Sequence, residues 1–298
     1  MKDIEFHIFR GFAWLVSHLP MPVIYFLSDI LRLLIRYVIR YRRKVILENL
    51  TRSFPEKSRQ DILKIKNRFY KNLADITLEI IKLQKLSGEE LLTRFEFKGF
   101  DIMQRSFASG RSIIVAIGHC GNWEWMGTAL GLMTPVKGYA IVKPLSSRNF
   151  NNYIEMLRHR LNPDSTIPFK STYRTMARHK KEFQTFNVIA SDQTPLLHDI
   201  NYWHLFLNQD TPFFLGVEKL AISLDFDVIY IDIKRISRGK YLGDIALITD
   251  NPKNTRQYEI TDKFISLLED SIKRNPDNWL WSHRRWKHKK ETTQGTGK

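Results

Sequence analysis

The chain has 298 residues, with 47 Lys and Arg against 31 Asp and Glu, a formal charge of +16 at pH 7, and one cysteine, Cys120. Hydrophobic residues at 43% and aromatics at 12% supply a sizeable core, which excludes a disordered or collagen-like chain and fits one large domain with or without an appendage. The lone cysteine excludes an intrachain disulfide and a cysteine-based zinc site, and the positive excess predicts an acidic partner: an anionic membrane, nucleic acid or an acidic protein.

The 18 residues 11–28 contain no Asp, Glu, Lys or Arg and are bounded by Arg10 and Asp29. That is the lower limit for a membrane span, and Pro20 and Pro22 interrupt it, each costing about 3 kcal/mol inside a helix. Arg32, Arg36 and Arg40 then recur along the apolar stretch 31–39, the pattern of a basic amphipathic helix in a membrane interface. Thirteen basic residues face three acidic ones between positions 32 and 71, and an anionic surface attracts each by about 1 kcal/mol. No small-residue cleavage site follows the apolar stretch. The expectation is a retained membrane-associating helical segment over 1–45. In it Arg32, Arg36, Arg40, Arg42 and Arg43 contact anionic lipid. The alternative is an amphipathic helix packed on its own domain.

Apolar residues at three- and four-residue steps predict a long helix over 58–86. Short apolar runs at 112–117, 139–142, 186–190, 226–233 and 245–248 predict strands, and helical patterns at 123–132, 150–161, 173–181 and 213–224 separate most of them. The alternation predicts an α/β fold with a mostly parallel sheet flanked by helices. A helix closes the pattern at 257–274, and the polar tail 291–298 is expected to be disordered. The main domain is expected over 46–290.

The sequence contains no GxxxxGK[ST], no GxGxxG after a strand, no GxSxG and no HExxH, which argues against nucleotide hydrolysis, a dinucleotide cofactor, a serine hydrolase and a zinc protease. What remains is a strand-like run ending at His119, with Glu124 five residues on. At the carboxyl end of a parallel strand His119 stands where α/β proteins put ligands. With His119 in the loop and Glu124 in the first helical turn, the carboxylate would fix the imidazole tautomer and strengthen it as a base, worth about 10² to 10⁴ in rate. Backbone N–H groups after the His are candidates for holding an oxyanion. The competing reading is a strand-end His with an ordinary first-turn carboxylate. Cys120 as nucleophile is the weaker idea, since neighbours on a turn usually point apart.

The segment His119-Cys-Gly-Asn-Trp-Glu124 matches the HX4[D/E] motif of the lysophospholipid-acyltransferase-like superfamily, and its surroundings resemble the lipid A biosynthesis branch, the late lauroyl and myristoyl transferases. The resemblance covers nearly the whole chain. It includes Arg42-Arg43 with Asn49-Leu50 and Ser53 to Glu56, the block Gly118 to Glu124, Val142-Lys143-Pro144, Arg158 fourteen residues after that Pro, Ser191-Asp192-Gln193, Phe213 to Gly216 with Leu220-Ala221, and Trp279 to Lys287.

The resemblance implies a glycerolipid acyltransferase-like fold. It implies transfer of an acyl chain from an acyl thioester, usually acyl carrier protein, to a hydroxyl of a glycolipid at the cytoplasmic face of the inner membrane, with no metal or other cofactor. His119 would be the base and Glu124 its orienting partner. Arg158 and Asp192 match the other two functional positions, and Lys143, Gln193 and Asn122 lie in the matched blocks as further substrate or oxyanion contacts. Trp123, Trp125, Met126, Phe213 and Phe214 are candidates for an acyl groove, or for plain core. Lys143 stands where Arg is commoner, and would lose a bidentate phosphate grip. The alternatives are the same chemistry on a lysophospholipid or aminolipid, and a non-enzymatic basic module. In the latter the closing run from His283 to Lys290 would bind membrane or RNA, although nucleic acid is not the expected partner.

Overall fold

The N-terminal apolar stretch forms two helices, α1 (Asp3–His18) and α2 (Met21–Leu33), in the computed structural model, which describes residues 3–290. The expected tail over 291–298 lies outside the described residues. Pro20 ends the first helix and starts the second, with φ −68° already set for helix entry. No helix among the described residues is long and apolar enough to cross a membrane.

Both helices are apolar on two faces. Ala13 and Val16 of α1, and Met21 and Ile24 of α2, are buried in the common core. On the outer faces Ile4, Ile8, Phe12 and Leu15, then Phe26, Ile30 and Leu33, are exposed at three- and four-residue spacing. The basic amphipathic stretch ends in a π-helical turn, Leu34–Val38, followed by two residues with left-handed backbone, Arg40 and Arg42.

The chain then enters α3 (Arg43–Ser53) and α4 (Arg59–Lys82). Ser58 caps α4 by accepting the Asp61 N–H at 3.2 Å. At its other end Lys82 donates to the Ser17 and Leu19 carbonyls at 3.0 and 2.8 Å, which satisfies carbonyls at the carboxyl end of α1; α4 stops here, short of the expected position 86. A buried polar network joins these helices to the sheet. Asp75 accepts from Ser28 at 2.5 Å and from Arg235 and Arg238, and Arg238 also pairs with Asp29.

After α5 (Gly88–Leu92) come β1 (Phe95–Lys98), α6 (Phe100–Ala108), β2 (Ile113–Ile117), α7 (Trp123–Met133), β3 (Lys137–Val142), α8 (Arg148–His159), β4 (Thr166–Pro168), α9 (Thr172–Glu182) and β5 (Thr185–Ala190). The hairpin of β6 (Trp203–Phe206) and β7 (Gln209–Pro212) leads to α10 (Gly216–Leu224), β8 (Asp227–Ser237), β9 (Lys240–Thr249) and α11 (Glu259–Arg274). Seven strands form one sheet in the order β1-β9-β8-β2-β5-β3-β4, parallel except for the β8–β9 pair. All five predicted strands and the predicted helices are present. The helix expected over 213–224 starts later, at Gly216: the Phe213 N–H is held by the Tyr202 carbonyl beside the hairpin, and 214–215 lead into the helix. Strand β2 is buried along its whole length, as a central parallel strand covered on both faces must be.

Candidate active site

Strands β2 and β5 lie side by side with Ile117 opposite Ala190. Each chain runs two residues further, and the pair that results is His119 and Asp192. Asp192 Oδ1 lies 2.6 Å from His119 Nδ1, and Oδ2 accepts the His119 backbone N–H at 3.0 Å. The indole N–H of Trp279 donates to the same Oδ2 at 2.7 Å. The carboxylate that holds the imidazole is therefore Asp192, where the sequence suggested Glu124. The reason is topological: adjacent strand ends meet directly, while Glu124 has already turned away on α7.

Glu124 faces α8 instead. Arg158 grips it with Nε on Oε2 at 2.9 Å and Nη2 on Oε1 at 2.5 Å, the bidentate geometry that only Arg provides. Burial disfavours the charged guanidinium, but Glu124 outweighs it and the Arg158 pKa is raised. Glu124 also stays within electrostatic reach of the imidazole.

The loop between β2 and α7 holds this arrangement for local reasons. A Cβ at Gly118 would stand 2.5 Å from Leu268 Cδ1, and Gly121 has a φ of +52° with Ile233 Cγ2 2.8 Å from a notional Cβ, so both positions favour glycine. Asn122 caps α7 by accepting the Trp125 N–H at 3.0 Å, and its amide donates to Glu79 Oε2 at 3.0 Å. Glu79 also receives Tyr241 at 2.6 Å and Tyr25 at 3.0 Å. Burial raises its pKa, against the hydrogen bonds from Tyr241 and Asn122. The loop N–H groups of Cys120 and Gly121 are taken by the Gly118 and Asn278 carbonyls, so neither is open to an oxyanion.

The electrostatics follow from burial and partners. Burial alone would push Asp192 up; the His119 charge, its two hydrogen bonds and the Trp279 indole hold it well below the carboxylate range. Burial opposes a charged His119, but Asp192, and then Glu124, raise its pKa above the ordinary imidazole value in spite of Arg158. The side chain of His119 is 18% exposed and that of Asp192 2%, so the carboxylate is sealed while the ring remains reachable. Gln193 Nε2 lies 3.3 Å from His119 Nε2 and 3.4 Å from Nδ1, against the ring, and Trp123 meets the ring edge-on at 5.0 Å. Cys120 is 3% exposed and burial pushes its thiol well above the usual value, and both argue against a nucleophile.

The remaining candidates separate. Lys143 is exposed just past the end of β3, on the same carboxyl edge of the sheet. Trp125 and Met126 are fully buried, Phe213 nearly so, and the Trp125 indole donates to the Glu79 carbonyl at 3.0 Å; these three are core. Trp123 and Phe214 are half-buried. Among the described residues no cluster of three or more His, Cys, Asp or Glu could hold a metal.

Two neighbours of the His119–Asp192 pair were not among the catalytic or substrate-binding residues expected from the sequence. Trp279 was visible only as one aromatic in the closing block. Arg285, from the same block, is fully buried: it donates to the Pro212 carbonyl at 2.7 Å, stacks 4.5 Å from the Phe213 ring centre, and leaves Nε and Nη1 without a partner. Burial lowers it to about 9, with Asp192 acting the other way. The block is pinned over the site by a bridge between Cys120 and Trp279, by the Leu280 N–H on the His119 carbonyl at 3.1 Å, and by Asn49 on the Trp281 and His283 carbonyls.

Comparison with known proteins identifies relatives over nearly the whole chain. A family described as bacterial lipid A biosynthesis acyltransferase matches residues 3–288. The chain is 22% identical over 288 residues to a lipid A biosynthesis palmitoleoyltransferase of Escherichia coli (strain K12), covering 93% of this chain and 89% of that protein. It is equally similar to a lipid A biosynthesis acyltransferase of Shigella flexneri.

Proposed function

We propose that this chain, which belongs to the bacterial lipid A biosynthesis acyltransferases, moves a fatty acyl group from an acyl thioester to a hydroxyl of a lipid A precursor. The observation that carries the reading is the His119–Asp192 pair at a parallel-sheet edge, with the carboxylate buried and the imidazole reachable. In the proposed step Nδ1–H donates to Asp192, which leaves Nε2 unprotonated, beside the Gln193 amide at 3.3 Å, to take the proton of the acceptor hydroxyl. The oxygen attacks the thioester carbonyl, a C–O bond forms, the C–S bond breaks, and the thiolate leaves with the proton that His119 returns. Asp192 stays ionised and stabilises the imidazolium. Glu124 adds negative charge beside the ring and holds Arg158 in place, and Arg158 offers positive charge to the anionic intermediate.

The donor is proposed to be acyl carrier protein, an acidic partner suited to a chain of +16. The site is proposed to work at the cytoplasmic face of the inner membrane. The exposed apolar stripes of α1 and α2 and the arginines that follow them support that placement. Purified protein with acyl carrier protein thioester and a lipid A precursor should form the acylated product, and His119→Ala should abolish it. Full activity in that variant would remove the base. Mass spectrometry of lipids from a strain lacking the gene identifies the acceptor: a missing acyl chain on lipid A is expected, and an unchanged lipid A would assign the chemistry to another lipid.

A further inference from the structure

Arg40, Arg42, Arg43 and Lys44 line one open depression of about 980 Å³ together with Arg284 of the closing block, Val45 and Leu47. No carboxylate lines it, and among the described residues none of the five cations is ion-paired. Two sequence segments more than 230 positions apart thus bring five positive charges to one hollow. Surface cations ordinarily spread apart or pair, so this convergence is the arrangement of an anion site.

The backbone adds a second observation. Arg40 and Arg42 have φ of +53° and +50°, a region that costs a non-glycine residue energy. Glycine would relax both turns, yet both positions hold arginine, and both arginines line the hollow. Third, the residues running into it are apolar and exposed: Tyr37 at 56%, Val38 at 72% and Ile39 at 58%. A hollow of cations beside an apolar apron fits a phosphate carried at a bilayer surface better than it fits the acidic face of a protein, which needs no apron.

We infer that Arg40, Arg42, Arg43, Lys44 and Arg284 form a binding site for a phosphate monoester on a membrane lipid headgroup. The volume admits a headgroup of sugar size, and five cations match the double charge of a monoester better than the single charge of a diester. Arg284 lies between His283 and Arg285, whose chain covers Asp192, and Thr194 beside the catalytic loop donates to the Arg285 carbonyl at 2.6 Å. A phosphate held here is therefore tied through a few residues to the site of transfer. The inference rests on the reading above that the acceptor is a membrane lipid.

The test is vesicle co-sedimentation of the full chain with no acyl donor present, so that binding is read apart from turnover. The vesicles are phosphatidylcholine alone, or doped with phosphatidic acid (a monoester) or phosphatidylglycerol (a diester) to equal surface charge. Tighter binding to the phosphatidic acid vesicles is expected. Arg40→Gly with Arg42→Gly, which relieves the left-handed backbone, should keep the melting temperature and weaken that binding about 30-fold. Arg43→Gln with Arg284→Gln should do the same by another route. The control pair Arg52→Gln with Arg59→Gln, of equal charge change in the same basic region, should lose much less. Equal loss in the control, equal binding to both doped vesicles, capture of inorganic phosphate without vesicles, or displacement only by acyl carrier protein would each overturn the site. Absent acyl transfer with intact phosphatidic acid binding would instead count against the proposed reaction alone.

Discussion

Ile117 and Ala190 are register partners on adjacent parallel strands, and the side chains two residues beyond them, His119 and Asp192, make a 2.6 Å contact. The proposed catalytic pair is thus a product of strand register: any slip of β5 against β2 would move Asp192 out of reach of the imidazole.

Asp192→Asn should leave the fold intact, since the amide oxygen can still accept the His119 and Trp279 N–H groups. Without the negative charge the tautomer and the imidazolium lose their support, and kcat/KM should fall about 10² to 10⁴-fold. The pH profile should also move. A base acts when neutral, so activity falls as pH drops through its pKa. With His119 raised above the ordinary imidazole value, the acid limb of kcat/KM should lie above about pH 6.5, and the Asn variant should shift it down. An unmoved limb would show that another group titrates.

The bidentate Glu124–Arg158 pair should behave as one unit. Removing either partner strands the other, partly buried, and each single alanine variant should lose stability and most activity. The double alanine variant should be less damaged than the sum, with a coupling of about 1–3 kcal/mol in thermal unfolding. Additive losses would mean that the two side chains act independently.

Trp279→Phe keeps the aromatic packing and deletes one hydrogen bond to a buried carboxylate. Bonds to charged groups contribute about 1.5–3 kcal/mol, so kcat/KM should drop about 10- to 100-fold with little change in KM. A change confined to KM would place Trp279 on the substrate side instead.

Glu79 gives a stability signature. Its folded-state pKa is raised by burial, so the folded chain holds this proton more tightly than the unfolded one. That contribution is complete below the ordinary carboxyl value of about 4.3 and is lost as pH rises through the raised value. Glu79→Gln stays neutral throughout, so variant-minus-wild-type stability should increase with pH across that window, at most about 1.4 kcal/mol per unit. A pH-independent difference in denaturant unfolding would contradict the assignment.

The sheet was readable wherever burial on both faces left a continuous apolar run, as in 113–117 and 226–233. Strands β1, β4 and the β6–β7 hairpin escaped, because they are short and their residues alternate or are polar: Phe95-Glu-Phe-Lys98 is four residues, and Gln209-Asp-Thr-Pro212 carries almost no apolar signal. His119 and Glu124 were singled out by the residues themselves, Arg158 and Asp192 by the family resemblance, and the structure joins the four into two contacting pairs. Their pairing was not legible. Nearness along the chain favoured Glu124 for His119, whereas the partner comes from a strand whose adjacency to β2 is fixed only by the fold. Two strands each ending two residues before a His and an Asp were a usable signal, but only once β2 and β5 were known to be neighbours. Core packing decided the acyl-groove candidates in the same way, since Trp125, Met126 and Phe213 look no different in sequence from Trp123 and Phe214.

The bridge between Cys120 and Trp279 has a consequence for truncation of the chain. His119 is translated early, but the indole that steadies its carboxylate, and the backbone that closes the loop, come from 278–285. The sheet itself takes its last strand from β9, so the proposed His119–Asp192 site needs a segment that contributes no strand to the sheet. Loss of 278–285 should therefore cost the proposed base its carboxylate's indole partner and its loop closure together.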